Sequence, residues 1–427
     1  MASIQHKNLG FIVATVGWVL VVLLTLYPTP DKIAAADDTS LWCLVCGDLG
    51  LVDVVLNTVL FVPFGIGLGL LGVSRTRALA AIVLTTLTIE VLQLGVVVGR
   101  DASLSDLITN SGGGLLGFLL AHQWRRVFFT SPRVSLWLAM LGAIGWLAVQ
   151  GFSGWALQRT LPSSIYYGQW APALGQFEQF TGEVLSARVD SIPLPSTRFA
   201  SSAAVREALL SNRSMLQIEA LTGTLTRDVA PIFSIFDDRQ REILLLGQDG
   251  DDLVYRVRTR TASLGLRGPV LRLSDVLPAE PGAPLEITAH YTPGRYRLEV
   301  GIGDRSVSRE LRLSVSWGWS FLLPFDHAFG AEMPWLTILW IAGLLFPVGY
   351  YPARSGALSG KTAIGALVIL LFLGLVVIPV LSALSFFHPL EWIAGIVGAA
   401  GGWQLGKRSA TELRASCRET ASVGFST

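Results

Sequence analysis

The chain has 427 residues, of which 51% are hydrophobic and only 15% are charged, with a formal net charge of +1. Soluble proteins carry about 25% charged residues, so this composition is typical of membrane proteins. The near-neutral balance and the lack of a polybasic segment exclude nucleic acid as an expected partner.

Apolar runs of about 20 residues, long enough to cross a bilayer as helices, predict eight spans. They lie near residues 9–27, 51–73, 78–98, 106–123, 134–152, 332–351, 362–384 and 389–406. The first run has two interpretations, a signal peptide with AAAD at 34–37 as a cleavage-like site, or an uncleaved anchor. The anchor is favoured because the run is longer than a signal-peptide core and the alanines lie well beyond it.

Basic residues in alternate connections predict the orientation of these spans, because such connections stay in the cytoplasm. The residues that mark this side are His6, Lys7, Arg75, Arg77, Arg125, Arg126, Arg133, Arg354, Lys361, Lys407, Arg408, Arg414 and Arg418. The opposite connections are poor in cations. Both termini are therefore expected in the cytoplasm, which agrees with an even number of spans.

Residues 153–320 have a different composition from the apolar runs, with eighteen Arg, no Lys and eighteen Asp plus Glu. The alternation in LVYRVRTR, around Val257, is the period-two pattern of a half-buried strand. GQDGDD and TPGRY are typical of turns. The sequence therefore predicts an all-β sandwich that is inserted between spans and lies outside the cytoplasm.

The expected domain division follows from these elements. Residues 1–152 form a transmembrane domain of five helices, and residues 153–320 form the β-sandwich. Residues 321–407 hold three further transmembrane helices, and residues 408–427 form a cytoplasmic tail.

Three predicted spans and one outer connection bring polar residues to a single depth below the outer membrane surface. These residues are Asp53, Asn57, Glu90, Gln93, Arg100, Asp101, Asp106 and Asn110. The helical ones form three pairs spaced three or four residues apart, so each pair shares a helix face. Because a charged group inside a bilayer costs several kcal/mol, such residues usually face a bundle interior or a wet cavity. Arg100 is the expected counter-ion of Glu90, Asp101 or Asp106.

At these residues the sequence resembles the VanZ-like family of bacterial membrane proteins. The matching elements are DVVLNTVLFVPFGIGLGLLG and IEVLQLGVVVGRDASLSDLITNSGGGLLG, over roughly residues 50–120. They hold, in order, an Asp and an Asn before F-x-P-F-G, an E-x-x-Q, an Arg, and a D-x-x-x-N followed by glycines. The first five predicted helices fit the usual core of the family. The resemblance implies a cell-envelope protein, with members linked to glycopeptide antibiotic resistance, and it implies no established reaction.

A second resemblance concerns the β segment. IFSIFDDRQREILLLGQDGDDLVYRVRTR is similar to a concanavalin A-like, laminin G-like jelly roll. The expected fold is therefore a polytopic α-helical membrane bundle with an inserted extracytoplasmic β jelly-roll sandwich. Asp249, Asp251 and Asp252 more often form a solvated hairpin turn than a Ca²⁺ site, so no metal and no cofactor are expected.

The eighth predicted span leaves two interpretations open. HPLEWIAGIVGAAGGWQLG echoes SLSDLITNSGGGLLGFLLA, with Glu391 in the place of Asp106 and Gly402 in the place of Gly117. It is either a decayed repeat of the fourth span or simply another glycine-rich packed helix. The second interpretation is favoured because Gly395 stands where the repeat would need Asn110.

Isolated cysteines and histidines add little. Cys43 and Cys46 form a C-x-x-C in an outer connection, and a local disulfide is one interpretation. With no histidine cluster nearby, a metal role lacks support. His327 and His388 stand alone near helix ends and are interpreted as interface residues.

Three functions compete at this stage. The first is an inner-membrane protein that binds a lipid-linked or cell-surface glycan at the outer leaflet. The second is an enzyme in which Glu90 or Asp106 acts as acid or base while Arg100 stabilises an anionic group. The third is a non-catalytic scaffold or sensor whose β domain binds a carbohydrate or an envelope protein.

Overall fold

The computed structural model describes the chain in several stretches. They are residues 2–28, 42, 44–45, 47, 49–97, 103–174, 177–303, 305–323, 333–386 and 388–423. Five residues singled out by the sequence lie outside them, namely Arg100, Asp101, Cys43, Cys46 and His327. The chain divides into a first unit, Met1–Thr130 with Leu264–Arg267, and a second unit, Ser131–Ser263 with Gly268–Thr427.

The helices follow the apolar runs closely. In chain order they are α1 Ala2–Thr25, α2 Gly50–Leu70, α3 Arg75–Gly95, α4 Leu104–Phe128, α5 Pro132–Ala156, α6 Ser202–Leu210, α7 Arg260–Ser263, α8 Pro334–Ser355, α9 Gly360–Phe372, α10 Ile378–Leu381 and α11 Pro389–Val423. A π-helical turn at Leu373–Val377 joins α9 to α10, so Gly360–Leu381 forms one continuous helical stretch.

Among the described residues, six helical stretches are long and apolar enough to cross a membrane: α1, α2, α3, α5, α8 and the α9–α10 stretch. The chain is therefore a multi-pass membrane protein in a lipid bilayer. The fourth and eighth predicted spans form α4 and α11, but neither is among those six. Polar groups such as Asp106 and Asn110 lower the hydropathy of α4. The total of eight spans stays a prediction.

Helix α11 has two parts of different character. Its apolar part ends at Lys407 and Arg408, and the helix continues to Val423. The Lys407 ammonium lies 5.3 Å from the ring centroid of Trp403. A lysine beside a tryptophan is the arrangement found where a helix leaves the hydrocarbon for the membrane surface.

In the first unit, α2 packs against both α1 and α4. The contact with α4 is made through glycines, because a Cβ at Gly113 would overlap the carbonyl oxygen of Thr58 and one at Gly117 that of Val62. The two backbones therefore touch directly, as small-xxx-small spacing allows. Phe61 of α2 is fully buried in the core beside this contact.

The beginning of α2 also receives a backbone partner. No side chain caps this helix, and the N–H of Val52 in its first turn donates to the carbonyl of Gly265 at 3.2 Å. Gly265 belongs to the short stretch Leu264–Arg267 that groups with the first unit. The bond satisfies one of the orphan donors that every helix leaves at its N-terminus.

The second unit repeats the glycine contacts of the first. A Cβ at Gly398 of α11 would overlap Ala342 of α8, and one at Gly402 would overlap the carbonyl of Phe346. The matched positions, first unit then second, are Gly65 and Gly349, Thr58 and Ala342, Val62 and Phe346, Gly113 and Gly398, and Gly117 and Gly402. Because the register agrees at every one of them, the structure favours the repeat over an unrelated packed helix.

Helix α5 packs against α8 as α1 packs against α2. A Cβ at Gly17 of α1 would lie 3.0 Å from the carbonyl carbon of Pro63, and one at Gly142 of α5 would lie 3.2 Å from the Cβ of Pro347. The sequence-based division joined α5 to the first four helices, whereas its contacts group it with the second unit. The predicted domain boundaries themselves stay a prediction.

The β region of the second unit consists of two antiparallel sheets. The strands are β1 Tyr166–Trp170, β2 Glu183–Val189, β3 Ile192–Pro193, β4 Ser214–Leu221, β5 Val229–Asp237, β6 Glu242–Asp249, β7 Asp252–Val257, β8 Val270–Leu273, β9 Pro284–Thr292, β10 Arg295–Ile302 and β11 Arg305–Arg312. One sheet has the order β1-β5-β6-β7-β8, and the other has the order β11-β10-β9-β4-β2-β3. The sheets meet where Tyr255 packs edge-on against Tyr296, with ring centroids 6.2 Å apart.

Replacing Gly113 with Ala should destabilise the protein by about 1–3 kcal/mol, because the new Cβ overpacks the backbone of α2. Gly112 is the matched control, since nothing lies within 4 Å of a Cβ at that position. Gly112→Ala should be neutral or stabilising, given the helix propensity of Ala. Thermal unfolding of the purified protein in detergent measures both, and equal midpoints for the two variants would contradict the backbone contact.

Candidate functional site

A hydrogen bond between two apolar helices forms the centre of the candidate site. The Nδ2 of Asn57 in α2 donates to the Oδ1 of Asp106 in α4 at 2.5 Å. The glycine contacts of α4 with α2 bring the two backbones close enough for these short side chains to meet. The bond joins one residue from each of two pairs that the sequence placed on separate helices.

Ser103 links α4 to the carboxyl group of α3. Its hydroxyl accepts a hydrogen bond from the N–H of Asp106 at 3.1 Å, which makes Ser103 the cap of α4. Its own N–H donates to the Oε2 of Glu90 at 3.0 Å. In a capping box the acid three residues after the cap would accept that N–H. Here Glu90 accepts it, which leaves the Asp106 carboxylate available to Asn57.

Glu90 and Asp106 therefore lie close together, each one bond away from Ser103. Their carboxyl groups also interact electrostatically. Glu90 is buried, with 8% of its surface exposed. The group that caps α4 is the Ser103 hydroxyl, and Asp106 follows it in the first turn of the helix.

Gln93 of α3 extends the site to a fourth helix, α1. Its side chain is buried, and its Nε2 donates to the carbonyl of Thr25 at the end of α1, at 2.9 Å. The Thr25 hydroxyl donates in turn to the carbonyl of Val21 at 2.7 Å. Thr25 was not among the predicted site residues, because nothing in its sequence neighbourhood indicates that the end of α1 meets α3.

Three buried acceptor oxygens of the site have no partner among the described residues. They are Glu90 Oε1, Gln93 Oε1 and Asn110 Oδ1. Asn110 lies one turn after Asp106 and is only 2% exposed. A buried polar atom without a hydrogen bond costs about 1–3 kcal/mol, so these oxygens call for donors. Hydroxyl and ammonium groups, as well as water, are the chemical classes that supply them.

Three further residues belong to the predicted set. Asp53 lies on α2 one turn before Asn57, and its side chain is exposed. Arg100 and Asp101 lie between α3 and α4, outside the described residues. Ser105 was missed, although it is buried and its hydroxyl donates to the carbonyl of Leu44 at 2.7 Å. The S-x-x-D spacing of Ser103 and Asp106 is typical of a helix start and indicates Ser103, but no comparable signal marks Ser105.

The turn aspartates of the β region are engaged by an arginine. The guanidinium of Arg272 binds Asp252 at 2.6 Å and also binds Asp249. Burial lowers the pKa of Arg272, but its hydrogen bonds and charge interactions with these two carboxylates raise the pKa by more, to above the ordinary value. Asp251, Asp252 and Asp275 lie close enough together to hold a cation. Such exposed acidic groups are common at turns, and this cluster carries no functional assignment.

Comparison with known proteins bears on the first unit. Residues 11–128 match a protein-family model described as VanZ/LLP1. The match supports the VanZ-like resemblance of these residues and suggests a cell-envelope membrane protein. It covers α2 and α3, with most of α1 and all of α4, and thus the candidate site, but it stops before α5. No curated protein and no solved structure matches the chain. The concanavalin A-like identity of the β region therefore stays a prediction.

Asn57→Asp should destabilise the protein by about 1–3 kcal/mol, because it sets a second carboxylate against Asp106 in a poorly solvated place. Adding Asp106→Asn exchanges the two groups and should restore most of the loss. Unfolding midpoints of the two single variants and the double variant in detergent measure the coupling. Additive losses in the double variant would mean that the two side chains do not face each other.

Proposed function

With residues 11–128 taken as a VanZ-like unit, we propose that this bacterial inner-membrane protein binds the polar part of a lipid-linked or cell-surface glycan at the outer leaflet. The observation that carries the proposal is the set of buried, unpartnered acceptors at Glu90, Gln93 and Asn110. A purely structural cluster would be expected to satisfy its own hydrogen bonds. Sugar hydroxyls are donors and suit these oxygens.

The charge of the site fits such a ligand if Arg100 takes part. Glycans that are linked to lipid carriers are attached through phosphate groups. A guanidinium binds phosphate with two parallel hydrogen bonds, which is why Arg100 is proposed to hold the anionic part. Asp101 and Asp53 would then border the entrance and contact further hydroxyls.

Processing of the ligand is the finer form of the proposal, with Glu90 as the group that moves a proton. One oxygen of Glu90 is held by the Ser103 N–H, and the other has no partner among the described residues. Asp106 is engaged by Asn57 and would position Glu90 and the ligand. General acid–base work needs a carboxyl held in place with one oxygen facing the substrate.

A specific observation favours the alternative of a non-catalytic scaffold or sensor. The β region holds an open cavity of about 990 Å³ lined by polar side chains, among them Ser164, Ser202, Arg206 and Glu207. Beside it, burial raises the pKa of Asp237, but hydrogen bonds from Arg241 and Arg239 lower the pKa by more, to below its ordinary value. A cavity with this many polar and charged side chains suits a carbohydrate or protein partner.

Glu90→Gln should abolish function while the protein still folds. The measurement is the lipid and glycan content of cells that lack the protein and are complemented with each variant. Thr88→Val is the matched control, since Thr88 lies on the same helix and is exposed. Among the described residues, its hydroxyl bonds only to the carbonyl of Leu84. Complementation by Glu90→Gln as complete as by Thr88→Val would favour the scaffold or sensor.

The orientation predicts that the site and the β region lie outside, with both termini inside. After its native cysteines are replaced by serine, the protein is given a single cysteine at Arg75 or at Ser308. An impermeant thiol reagent added to intact cells should label position 308 and spare position 75, which should react only after lysis. Labelling of both positions from the same side would rule the orientation out.

A further inference from the structure

We propose that α5, α8, the α9–α10 stretch and α11 are a diverged second copy of α1–α4 with a ligand site of its own. The geometry points to the cavity beside Glu391, and its ligand would be a phosphate group on a hydroxylated carrier, such as a glycerophosphate. The site lies wholly within the second unit. It is independent of the one proposed for the first unit.

Two helix–helix contacts, that of α1 with α2 and that of α2 with α4, recur in one register as α5 with α8 and α8 with α11. FVPFG in α2 and LFPVG in α8 have a proline and a glycine at the same positions. Gly17 of α1 packs against the proline of α2, and Gly142 of α5 packs against the proline of α8. Gly117 lies against Val62 and Ile66, just as Gly402 lies against Phe346 and Tyr350. Two unrelated pairs of glycine-rich helices could share the spacing of their glycines, but each glycine would not contact the corresponding residue of the neighbouring helix.

The copy keeps one carboxyl group of the candidate site and changes its partners. Glu391 stands at the position of Asp106, in the first turn of α11. The position of Asn57 is taken by Ile341, which is fully buried, so the interhelical hydrogen bond is lost. Glu391 is nevertheless buried, with only 5% of its surface exposed. Its Oε1 accepts a hydrogen bond from the Ser314 hydroxyl at 2.6 Å. A buried carboxyl kept without its original partner indicates a different use.

A cavity of about 570 Å³ opens beside this carboxyl group. That volume lies within the range of about 300–1,000 Å³ typical of small-molecule sites. Its lining includes the buried Glu391 and Ser314, the aromatic side chains of Trp317 and Phe386, and two arginines of the β10–β11 edge. Glu310, the ion-pair partner of Arg312, also lines the cavity. The cavity thus brings a buried acceptor, Glu391, together with two arginines.

The two arginines indicate an anion. Arg295 and Arg312 are directly opposite each other in the pairing of β10 with β11. Like charges in that position repel each other and destabilise the sheet. Arg312 is paired with Glu310 at 2.5 Å. Arg295 is exposed and has neither a hydrogen bond nor an ion pair among the described residues. A phosphate between the guanidiniums would offset the repulsion with charge-assisted hydrogen bonds.

The other side chains of the cavity favour a particular chemical group attached to the phosphate. Glu391 can accept hydrogen bonds, which favours a neighbouring hydroxyl over a bare phosphate ion. His388 interacts electrostatically with Glu391 and lies at the same wall. A glycerophosphate group can come from an anionic lipid or from a water-soluble ester, and both have the same recognised chemistry.

The test uses the purified full-length protein. Titration calorimetry with glycerol 3-phosphate measures binding of the water-soluble ester. Native mass spectrometry measures binding of the lipid, as the retention of phosphatidylglycerol compared with that of phosphatidylcholine. Arg295→Gln and Glu391→Gln should each weaken binding about tenfold or more. Arg297→Gln is the matched control, on the same strand and outside the cavity, and should stay within about twofold of the parent.

Binding of either source with this dependence on Arg295 and Glu391 supports the proposal and identifies the source. Failure of both probes to bind overturns it, as does binding that Arg295→Gln and Glu391→Gln leave unchanged. Glu90→Gln should leave both measurements unchanged, because Glu90 belongs to the first unit. The two proposals can therefore fail separately.

Discussion

The direct contact of the α2 and α4 backbones is the constraint on which the candidate site depends. Short side chains such as Asn57 and Asp106 can bond across two helices only if the helix axes lie unusually close together. Gly113 and Gly117 allow that approach because they have no Cβ to collide with the carbonyls of α2. Ser103, which caps α4 beside this pair, extends the polar contacts to Glu90 of α3.

Inside a bilayer the same polar groups would be costly if they faced lipid. The structure lowers that cost by connecting them, since Ser103 bonds at once to Glu90 and to the backbone of Asp106, and Gln93 bonds to the end of α1. The buried side-chain atoms of the site that have no partner among the described residues are acceptor oxygens. A ligand rich in donors would satisfy them, which is the physical basis for proposing a glycan.

Much of the membrane architecture could be predicted from the sequence, because apolar length and polar spacing are local properties. The pairing of Asn57 with Asp106 is consistent with that spacing. The role of Ser103 was not visible, because it depends on Glu90 reaching across from another helix. The second copy is difficult to recognise from the sequence for a related reason. Its polar residues had diverged, as Ile341 in place of Asn57 illustrates, while the backbone contacts had not.

The length of α11 has a consequence for the depth of the second cavity. A helix rises about 1.5 Å per residue, so Glu391 and Lys407 lie about 24 Å apart along its axis. The hydrocarbon of a bilayer is about 30 Å thick. If Lys407 and Trp403 mark one membrane surface, the length of α11 places Glu391 just beneath the opposite membrane surface. The carboxyl group would then move relative to the headgroups whenever the thickness of the membrane changes.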